Sequence, residues 1–384
     1  MAQGSYQSKY PNVEALRAAF PTTKHCTYLN HAASTPLPDP VRAAMSKFIA
    51  DRGVIAGRKR RYERVPGDLR AALAWLINGT PQEIALVQNT SEGLNIIANA
   101  LPLQPGDNVL FCDVEFPANA YPWMNLRRRG VEARCVPHDG GGLTAEALET
   151  YADDRTRVVA VSSVEFLTGF RTNLQALGTW CRDHSVYFVV DGTQSLGAAP
   201  LDVQVCRIDF LSCGGPTWLM GPPGQGFVYC RQELLDELIL PFAGYLGVVE
   251  GECWRDYELT FLPDARRFEL GCANTVGQVG LLAAVRFLME IGIAGIERWT
   301  LHLTDLLIEE MQQRGYEIVS NVQPKHRSAI VSFKVPGDAD RALHLLTDAK
   351  VIVSKHEPYI RVSPHCYNTE QEIAMVGEVL GNAV

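Results

Sequence analysis

The sequence contains few lysines and no long apolar run. Only eight of its 384 residues are lysine, and none of them lies between Lys59 and Lys325. No stretch of 18 apolar residues occurs, so no membrane-spanning helix is expected. The first twenty residues also lack an apolar segment followed by a cleavage pattern, which argues against a secretory signal.

Cysteine spacing excludes two further classes of protein. The ten cysteines are scattered along the chain without any C-x-x-C pair. This arrangement argues against zinc sites, so we expect no metal, and against the disulfide framework of a secreted protein. A reducing cytoplasm is the expected location, with most of the cysteines buried as small apolar side chains.

The charge balance argues against nucleic-acid binding. The formal net charge is −8, with 47% hydrophobic and 20% charged residues, as in an ordinary soluble globular protein. One basic cluster, Arg58 to Arg61, lies in an amphipathic helical stretch. It is either a solvated helix face or an anion-contacting loop near a site entrance.

Short apolar runs alternate with helical patterns through the middle of the chain. The runs predict buried strands because they are rich in β-branched and aromatic residues: Val109–Cys112, Val158–Ser162, Tyr187–Val190 and Phe227–Cys230. The helical patterns are Pro66–Ile77, Ser91–Ala100, Leu143–Tyr151 and Leu174–His184. This alternation predicts an α/β fold with a mostly parallel sheet, helices on both faces, and functional loops at the carboxyl ends of the strands.

The pattern changes after a long helical stretch, Gln278–Gly292. Beyond it, Ala329–Val335 and Tyr359–Val362 predict strands of a smaller sheet. We therefore expect three parts: an N-terminal arm, residues 1–30, which packs on the small domain; a large domain, residues 31–292; and a small C-terminal domain, residues 293–384.

Two features of the predicted large domain are suited to ligand binding. Asp191 ends a strand and is followed by glycine, so its carboxylate either faces a ligand or caps the next turn. Thr90 or Ser91 is expected to be the N-cap of a helix, and the free backbone N–H groups of a first turn can bind an anion.

Longer segments carry a resemblance to a known family. The segments VVDGTQSLGAAPLDV and FLSCGGPTWLMGPPG resemble the active-site stretches of class V aminotransferase-fold enzymes, which use pyridoxal phosphate (PLP). The resemblance extends from Tyr28–Ala33 to the C-terminal YNTEQEI. It implies a fold-type I PLP-transferase: a large domain with a mostly parallel seven-stranded sheet flanked by helices, and a smaller α+β domain.

The resemblance also implies roles for individual residues. Asp191 pairs with the pyridine nitrogen of the cofactor, and Gln194 donates a hydrogen bond to its phenolic oxygen. Phe116 stacks on the pyridine ring. Thr90 and Ser91 bind the phosphate.

Substrate and interface residues follow from the same resemblance. Arg361 binds the α-carboxylate of the substrate, for which a guanidinium fork is well shaped. Asn30 and His31 are expected to contact the substrate. Cys272 stands where the family has a threonine that reaches the neighbour's phosphate, which implies a homodimer.

The pattern is broken at position 217. In the family, the residue before the Trp-Leu-x-Gly-Pro run is the lysine that binds PLP as a Schiff base, and here it is Thr217, preceded by Pro216. A hydroxyl cannot form an imine. We therefore expect PLP or pyridoxamine phosphate (PMP) to bind non-covalently, if either binds. Lys355 is the only other lysine expected in a loop near the site, unless it is simply solvated.

The reading of function leaves alternatives open. The main hypothesis is an enzyme that acts on a small amino acid or amino-carboxylate by transaminase, lyase or epimerase-type chemistry. Thr217, His356 and Glu165 are candidate catalytic residues. The alternatives are a PLP-independent enzyme that uses the same pocket, or a non-catalytic protein that pairs with itself or with a lysine-containing paralogue.

The expected branch of the family is the one with isopenicillin-epimerase-like proteins and C–S lyases. Desulfurases carry a nucleophilic cysteine on a loop before the substrate arginine. The corresponding stretch here, Ser354–Tyr359, contains no cysteine, and Cys366 comes after Arg361.

Overall fold

A computed structural model describes residues 12–54, 62–249 and 257–381. The basic cluster at positions 58–61 lies outside the described residues.

A seven-stranded sheet forms the centre of the molecule. Its strands follow the order β2-β8-β7-β6-β5-β3-β4, and β8 is antiparallel to both of its neighbours while the other pairs are parallel. The strand bounds are β2 Ile84–Val87, β3 Asn108–Cys112, β4 Glu132–Val136, β5 Thr156–Ser162, β6 Tyr187–Asp191, β7 Phe210–Gly214 and β8 Gly226–Cys230.

The central strands are apolar throughout because both faces of the sheet are covered. Along β5 and β6, Val159, Val161 and Val190 pack into one core cluster. The alternate residues Ala160 and Val189 pack into the other. A parallel sheet with helices on both faces requires such continuous apolar runs.

Helices surround this sheet and extend into the C-terminal part. Their bounds are Val13–Arg17, Asp39–Val54, Val65–Ile77, Thr90–Ala100, Tyr121–Asn125, Ala145–Tyr151, Leu174–Asp183, Thr275–Ile291, Ile293–Gln313, Ala339–Asp348 and Glu370–Gly381. Several helices begin at an asparagine, whose side chain accepts a hydrogen bond from the first turn. Asn89 does so from the Glu92 amide at 2.8 Å, and Asn173 from the Ala176 amide at 3.2 Å.

A smaller antiparallel sheet lies in the C-terminal part. Its order is β12-β13-β10-β9, from strands β9 Glu317–Ile318, β10 Val331–Lys334, β12 Ser354–His356 and β13 Tyr359–Val362. The N-terminal strand β1, Thr27–Tyr28, pairs in parallel with β11, Val351–Ile352. The chain bends by 76° between the helices that flank Gly292. The proposed domain bounds 1–30, 31–292 and 293–384 stay a prediction.

The predicted fold class is confirmed. The four predicted strands of the large sheet and the helical patterns between them occur within a few residues of their expected bounds. The sequence reading missed β2, β4 and β7. Strand β4 is largely exposed, and β7 was read only as part of a motif.

Among the residues that the structure describes, no single helix is long and apolar enough to cross a membrane. The helices Thr275–Ile291 and Ile293–Gln313 meet such a test of length and hydropathy only when joined across their bend. Within the same described ranges, no cluster of histidine, cysteine and acidic side chains could hold a metal ion.

Candidate active site

Asp191 lies at the carboxyl end of β6, in the centre of the sheet. It is 4% exposed, and its carboxylate accepts a hydrogen bond of 2.8 Å from the Thr193 amide. No arginine, lysine or histidine among the described residues forms an ion pair with it. Burial raises the pKa of this carboxyl to about 6. Asp191 is therefore a buried acid that lacks a cation.

Two further carboxyl groups lie near Asp191. Glu115 accepts hydrogen bonds from the Ser162 amide at 2.5 Å and the Ser162 hydroxyl at 2.6 Å. Burial raises its pKa to about 7. Glu165 is fully buried, and neither of its oxygens has a hydrogen-bond partner among the described residues. Its pKa is raised well above the usual range, first by burial and then by Glu115. We call Asp191, Glu115 and Glu165 the acidic cluster.

A potential anion site lies at the start of the helix Thr90–Ala100. The N-cap of this helix is Asn89, which accepts a hydrogen bond from the Glu92 amide, and not Thr90 or Ser91 as the sequence predicted. The Thr90 hydroxyl is 2.7 Å from the Thr193 hydroxyl. In the described part of the chain, the amide N–H groups of Thr90 and Ser91 have no hydrogen-bond partner. These free donors, at the positive end of a helix, are suited to a phosphate.

Thr217 lies between these two regions. It is 8% exposed, and its hydroxyl donates a hydrogen bond of 3.1 Å to the Thr193 carbonyl. The preceding Pro216 carbonyl accepts from the Thr35 amide at 2.8 Å, which ties the loop to the N-terminal segment. The Thr217 side chain is thus held against Thr193, which lies two positions after Asp191 in the sequence.

Gln194 joins separate parts of the chain. Its side-chain oxygen accepts from the Trp218 indole at 2.7 Å, and its amide nitrogen donates to the Ala32 carbonyl at 3.0 Å. One amide N–H remains for another partner. Its expected role at the cofactor stays a prediction.

Aromatic rings form a wall beside the acidic cluster. The Phe116 ring meets the Phe166 ring edge to face, with centroids 5.2 Å apart, and Phe166 meets His356 in the same way at 5.8 Å. Phe116 is 49% exposed, which leaves part of its ring free to stack on a flat ligand.

Arg361, on β13, contacts this wall through the Phe166 backbone. It is 3% exposed. Its Nε donates to the Ser354 hydroxyl at 3.1 Å and its Nη1 to the Phe166 carbonyl at 2.7 Å. No carboxylate among the described residues forms an ion pair with it. Burial lowers its pKa to about 10. Like Asp191, Arg361 is a buried charge without an opposite partner.

Three other expected site residues have different surroundings. The His31 ring nitrogens lie 2.8 Å from the Ser363 carbonyl and 2.9 Å from the Tyr367 hydroxyl, so both contacts are internal. The Asn30 side-chain oxygen is buried without a described hydrogen-bond partner. Cys272 is exposed and lines a separate cavity of about 340 Å³. Their roles in ligand binding stay predictions.

Lys355 does not offer its amine to the site. Its Nζ contacts the carboxylates of Asp340 and Glu357. Lys355 lies on strand β12 and not in the loop that the sequence predicted, and its two ion pairs agree with the alternative that its amine does not serve the site.

The described residues fit the expected cofactor without a covalent bond. Asp191 lacks a cation, and the PLP ring nitrogen can supply one. Phe116 offers a partly free ring, and the amides of Thr90 and Ser91 offer donors for a phosphate. The fit rests on these unpaired groups, which lie around Thr217.

The sequence reading missed two residues of this site. Glu115 directly precedes Phe116 in the segment that follows β3, and that position was a usable signal for a second acid near Asp191. Phe166 acts partly through its backbone carbonyl, which binds Arg361, and sequence carries no signal for such a contact.

Known proteins share both the sequence pattern and the fold. The family model described as aminotransferase class-V matches residues 27–376. A probable cysteine desulfurase from Methanothermobacter thermautotrophicus is 30% identical, over 97% of this chain and 98% of its own length. An uncharacterised aminotransferase of Schizosaccharomyces pombe is 26% identical, over 97% and 96%.

Solved structures agree. The apo structure of a cysteine desulfurase from Thermococcus onnurineus NA1 has a TM-score of 0.90 and 27% identity, over 98% of this chain and 99% of its own. A mutant of C-DES with glycine covalently linked to its PLP cofactor has a TM-score of 0.88 and 25% identity, over 95% and 99%. The expected epimerase-like branch stays a prediction. The match over residues 27–376 shows that the chain belongs to the class V aminotransferase family, whose members depend on PLP.

Proposed function

We propose that this protein is an enzyme that acts on a small amino acid with PLP or PMP held non-covalently, by C–S lyase or related chemistry. One observation carries the proposal. Asp191 and Arg361 have opposite charges and are both buried, yet neither has an ionic partner among the described residues. Arg361 binds the backbone of Phe166, whose ring contacts Phe116, the residue expected to stack on the cofactor.

The cost of burying these charges supports a ligand that pairs with both. An unpaired buried ion costs several kcal/mol even after relaxation of its surroundings. Asp191 and Arg361 do not pair with each other, so neither cost is offset within the described protein. A cofactor ring with a cationic nitrogen would pair with Asp191, and an amino-acid carboxylate would pair with Arg361.

The residues that would hold the cofactor follow from the geometry. Asp191 would face the ring nitrogen, Phe116 would stack on the ring, and the amides of Thr90 and Ser91 would bind the phosphate. When bound, PLP supplies an electron sink for bonds at the substrate's α-carbon. Gln194 has one N–H left to donate to the cofactor.

Arg361 would bind and orient the substrate. Its Nη2 has no described hydrogen-bond partner, so it can donate to a carboxylate, and Ser354 and Phe166 fix the guanidinium plane. Because the site around Arg361 is almost closed to water, the resulting ion pair is stronger than one at the surface.

We interpret Thr217 as standing in the place of the family lysine. Its hydroxyl is bound to the Thr193 carbonyl and provides no covalent tether. Retention of the cofactor then depends on hydrogen bonds and ion pairs, and each contact to a charged group contributes about 1.5–3 kcal/mol. Thr217, His356 and Glu165 remain candidates for moving protons, and burial raises the pKa of Glu165, which favours its neutral form.

We also propose a homodimer in a cytoplasmic setting. Large apolar side chains are exposed along one stretch of the chain: Ile239, Phe242, Tyr245, Val249, Leu259 and Leu270. Exposed apolar surface of this extent favours a partner. The stretch adjoins Cys272, whose amide donates to the Tyr245 hydroxyl. A heterodimer with a lysine-containing paralogue is the alternative outcome of a mass measurement in solution.

Cofactor retention tests the main proposal. The protein is equilibrated with PLP or with PMP and desalted, and its absorption spectrum is recorded. We expect a retained chromophore in the natural chain and in the control Asp154→Ala, which changes an exposed aspartate. Asp191→Ala should lose it. If the natural chain retains no chromophore and neither compound raises its melting temperature, the proposal fails.

Thr217→Lys tests the interpretation of position 217. The variant should bind PLP so firmly that borohydride reduction leaves it attached to the denatured chain, whereas the natural chain should release it. If the variant takes up PLP only as the natural chain does, position 217 does not lie at the reactive carbon of the cofactor.

A further inference from the structure

His356 lies on the same face of the small sheet as Arg361. Strands β12 and β13 are antiparallel, with Ser354 opposite Arg361. The Ser354 hydroxyl accepts a hydrogen bond from Arg361, and His356 is two residues further along the same strand. Because side chains alternate along a strand, His356 projects to the face that carries Arg361.

Both side chains have unused hydrogen-bond donors or acceptors. The buried Nε2 of His356 has no hydrogen-bond partner among the described residues. Arg361 uses one N–H at Nε and one at Nη1, and its Nη2 has no described partner. A buried polar atom without a partner is costly, so the buried Nε2 of His356, close to a guanidinium that has a free N–H group, indicates a missing ligand.

We propose that His356 and Arg361 together bind the carboxylate of the substrate, so that substrate binding and protonation of His356 are linked. The inference rests on the proposed role of Arg361 in binding substrate. It gives His356 a binding role in place of the proton-transfer role expected from the sequence.

The charges around His356 account for the linkage. The groups that face it are the Arg361 guanidinium and the Phe166 ring. The neighbouring acid Glu357 is engaged by Lys355, and the cross-strand residue is Tyr359. Burial and the Arg361 charge lower the pKa of His356 below its ordinary value. The imidazole is therefore neutral at neutral pH in the ligand-free protein.

A bound carboxylate changes this balance. It offsets the positive charge of Arg361 and accepts the N–H of a protonated His356, so it raises the pKa of that imidazole relative to the free protein. Binding therefore takes up a proton. By linkage, carboxylate affinity is highest below the free pKa of His356 and falls as the pH rises through the bound pKa.

Nuclear magnetic resonance on histidine-labelled protein tests the inference directly. The cofactor-free chain is titrated with acetate, and the cofactor-treated chain with glycine, while methylamine serves as the probe without a carboxylate. We expect acetate and glycine, and not methylamine, to move the His356 resonances and to raise the pH at which they titrate. If both carboxylates leave His356 unchanged while Arg361→Lys weakens their binding, the inference is overturned.

Two variants separate binding from a structural role. His356→Phe should weaken glycine binding about tenfold, since one hydrogen bond to a charged group is lost. His356→Gln should keep most of the affinity, because its amide donates, but should lose the pH dependence. His302→Gln is the matched control, because His302 is exposed and paired with Glu370. Glycine binding by His356→Phe that matches the natural chain at every pH would also refute the inference.

The acetate titration of the cofactor-free chain and the glycine titration of the cofactor-treated chain distinguish this inference from the cofactor proposal. A shift of His356 by acetate in a chain that retains neither PLP nor PMP supports the carboxylate site and removes the proposed cofactor. A retained cofactor with an unresponsive His356 supports the cofactor and removes the second carboxylate ligand.

Discussion

Replacing Glu165 should change how the stability of the protein depends on pH. Glu165 is fully buried, no cation among the described residues pairs with its carboxyl, and three acidic side chains lie near it: Glu115, Asp191 and Asp113. The folded chain therefore holds its proton at pH values where the unfolded chain has released it. Because the folded pKa is raised, this stability is fully present below the unfolded pKa, near 4.3, and is lost as the pH rises.

The magnitude follows from the number of protons involved. One proton held only by the folded chain changes the free energy of unfolding by about 1.4 kcal/mol for each pH unit. Glu165→Gln removes this slope, because glutamine has nearly the same shape and does not titrate. As the pH rises from 5 to 7, the variant should therefore become more stable relative to the natural chain, by up to about 1.4 kcal/mol for each pH unit.

Urea unfolding followed by circular dichroism at several pH values measures this difference. Glu309→Gln is the matched control, because Glu309 is an exposed glutamate on the helix Ile293–Gln313. Its difference from the natural chain should not vary with pH. If the difference between Glu165→Gln and the natural chain is also constant from pH 5 to 7, the described surroundings of Glu165 do not hold its proton, and the reasoning is wrong.

Three further predictions concern the scaffold. His365 is buried, which lowers its pKa to about 4. Its neutral side chain therefore contributes about 3 kcal/mol to the free energy of unfolding, and this contribution is lost as the pH falls from 6.5 to 4. In acid unfolding, the stability of His365→Asn should depend less steeply on pH than that of the natural chain. Glu269 accepts two hydrogen bonds from Arg70 Nη2, at 2.6 and 2.7 Å. In urea unfolding, Glu269→Ala should lower the free energy of unfolding by about 3–5 kcal/mol, because it leaves a buried guanidinium without its partner. The double variant Arg70→Met with Glu269→Leu should recover much of the lost stability. A Cβ at Gly178 would lie 1.9 Å from the Cys206 carbonyl oxygen, so Gly178→Ala should destabilise the protein by about 3 kcal/mol. A Cβ at Gly67 would have no atom within 4 Å, so Gly67→Ala should stabilise its helix by about 0.5–1 kcal/mol. Thermal melts of the two variants measure both effects.

The large sheet was predictable because its strands leave a direct trace in the sequence. Strands buried on both faces must be apolar at every position, as in β5 and β6, and their length separates them from the helices between them. Strand β4 escaped this reading because it lies at the edge of the sheet and carries exposed polar residues. Strand β7 was missed because its residues were interpreted only as part of the FLSCGGPTWLMGPPG motif.

The candidate site was predictable only where one residue type carries the chemistry. Asp191 could be named because a carboxylate at the end of a strand, followed by glycine, suggests a ligand, and Arg361 because its segment resembles the substrate-binding motif of the family. The contact between Arg361 and the Phe166 backbone could not be named, because it joins residues 195 positions apart through a carbonyl that every residue has. The proximity of Glu115 and Glu165 is likewise set by how two loops pack.

In the proposed complex, the distribution of charge would make the cofactor and the substrate bind cooperatively. Without a covalent tether, each ligand would be held by the charge it neutralises. Asp191 would attract the cationic ring nitrogen, and Arg361 would attract the carboxylate. Because Phe166 contacts Phe116 through its ring and Arg361 through its carbonyl, ordering one side of the wall also orders the other. The first ligand to bind therefore orders side chains that the second ligand would otherwise have to order. The second ligand loses less conformational entropy on binding, which is positive coupling between the two sites. Glycine should then lower the concentration of PLP needed for half-saturation, and Phe166→Ala should weaken this effect more than it weakens the binding of either ligand alone.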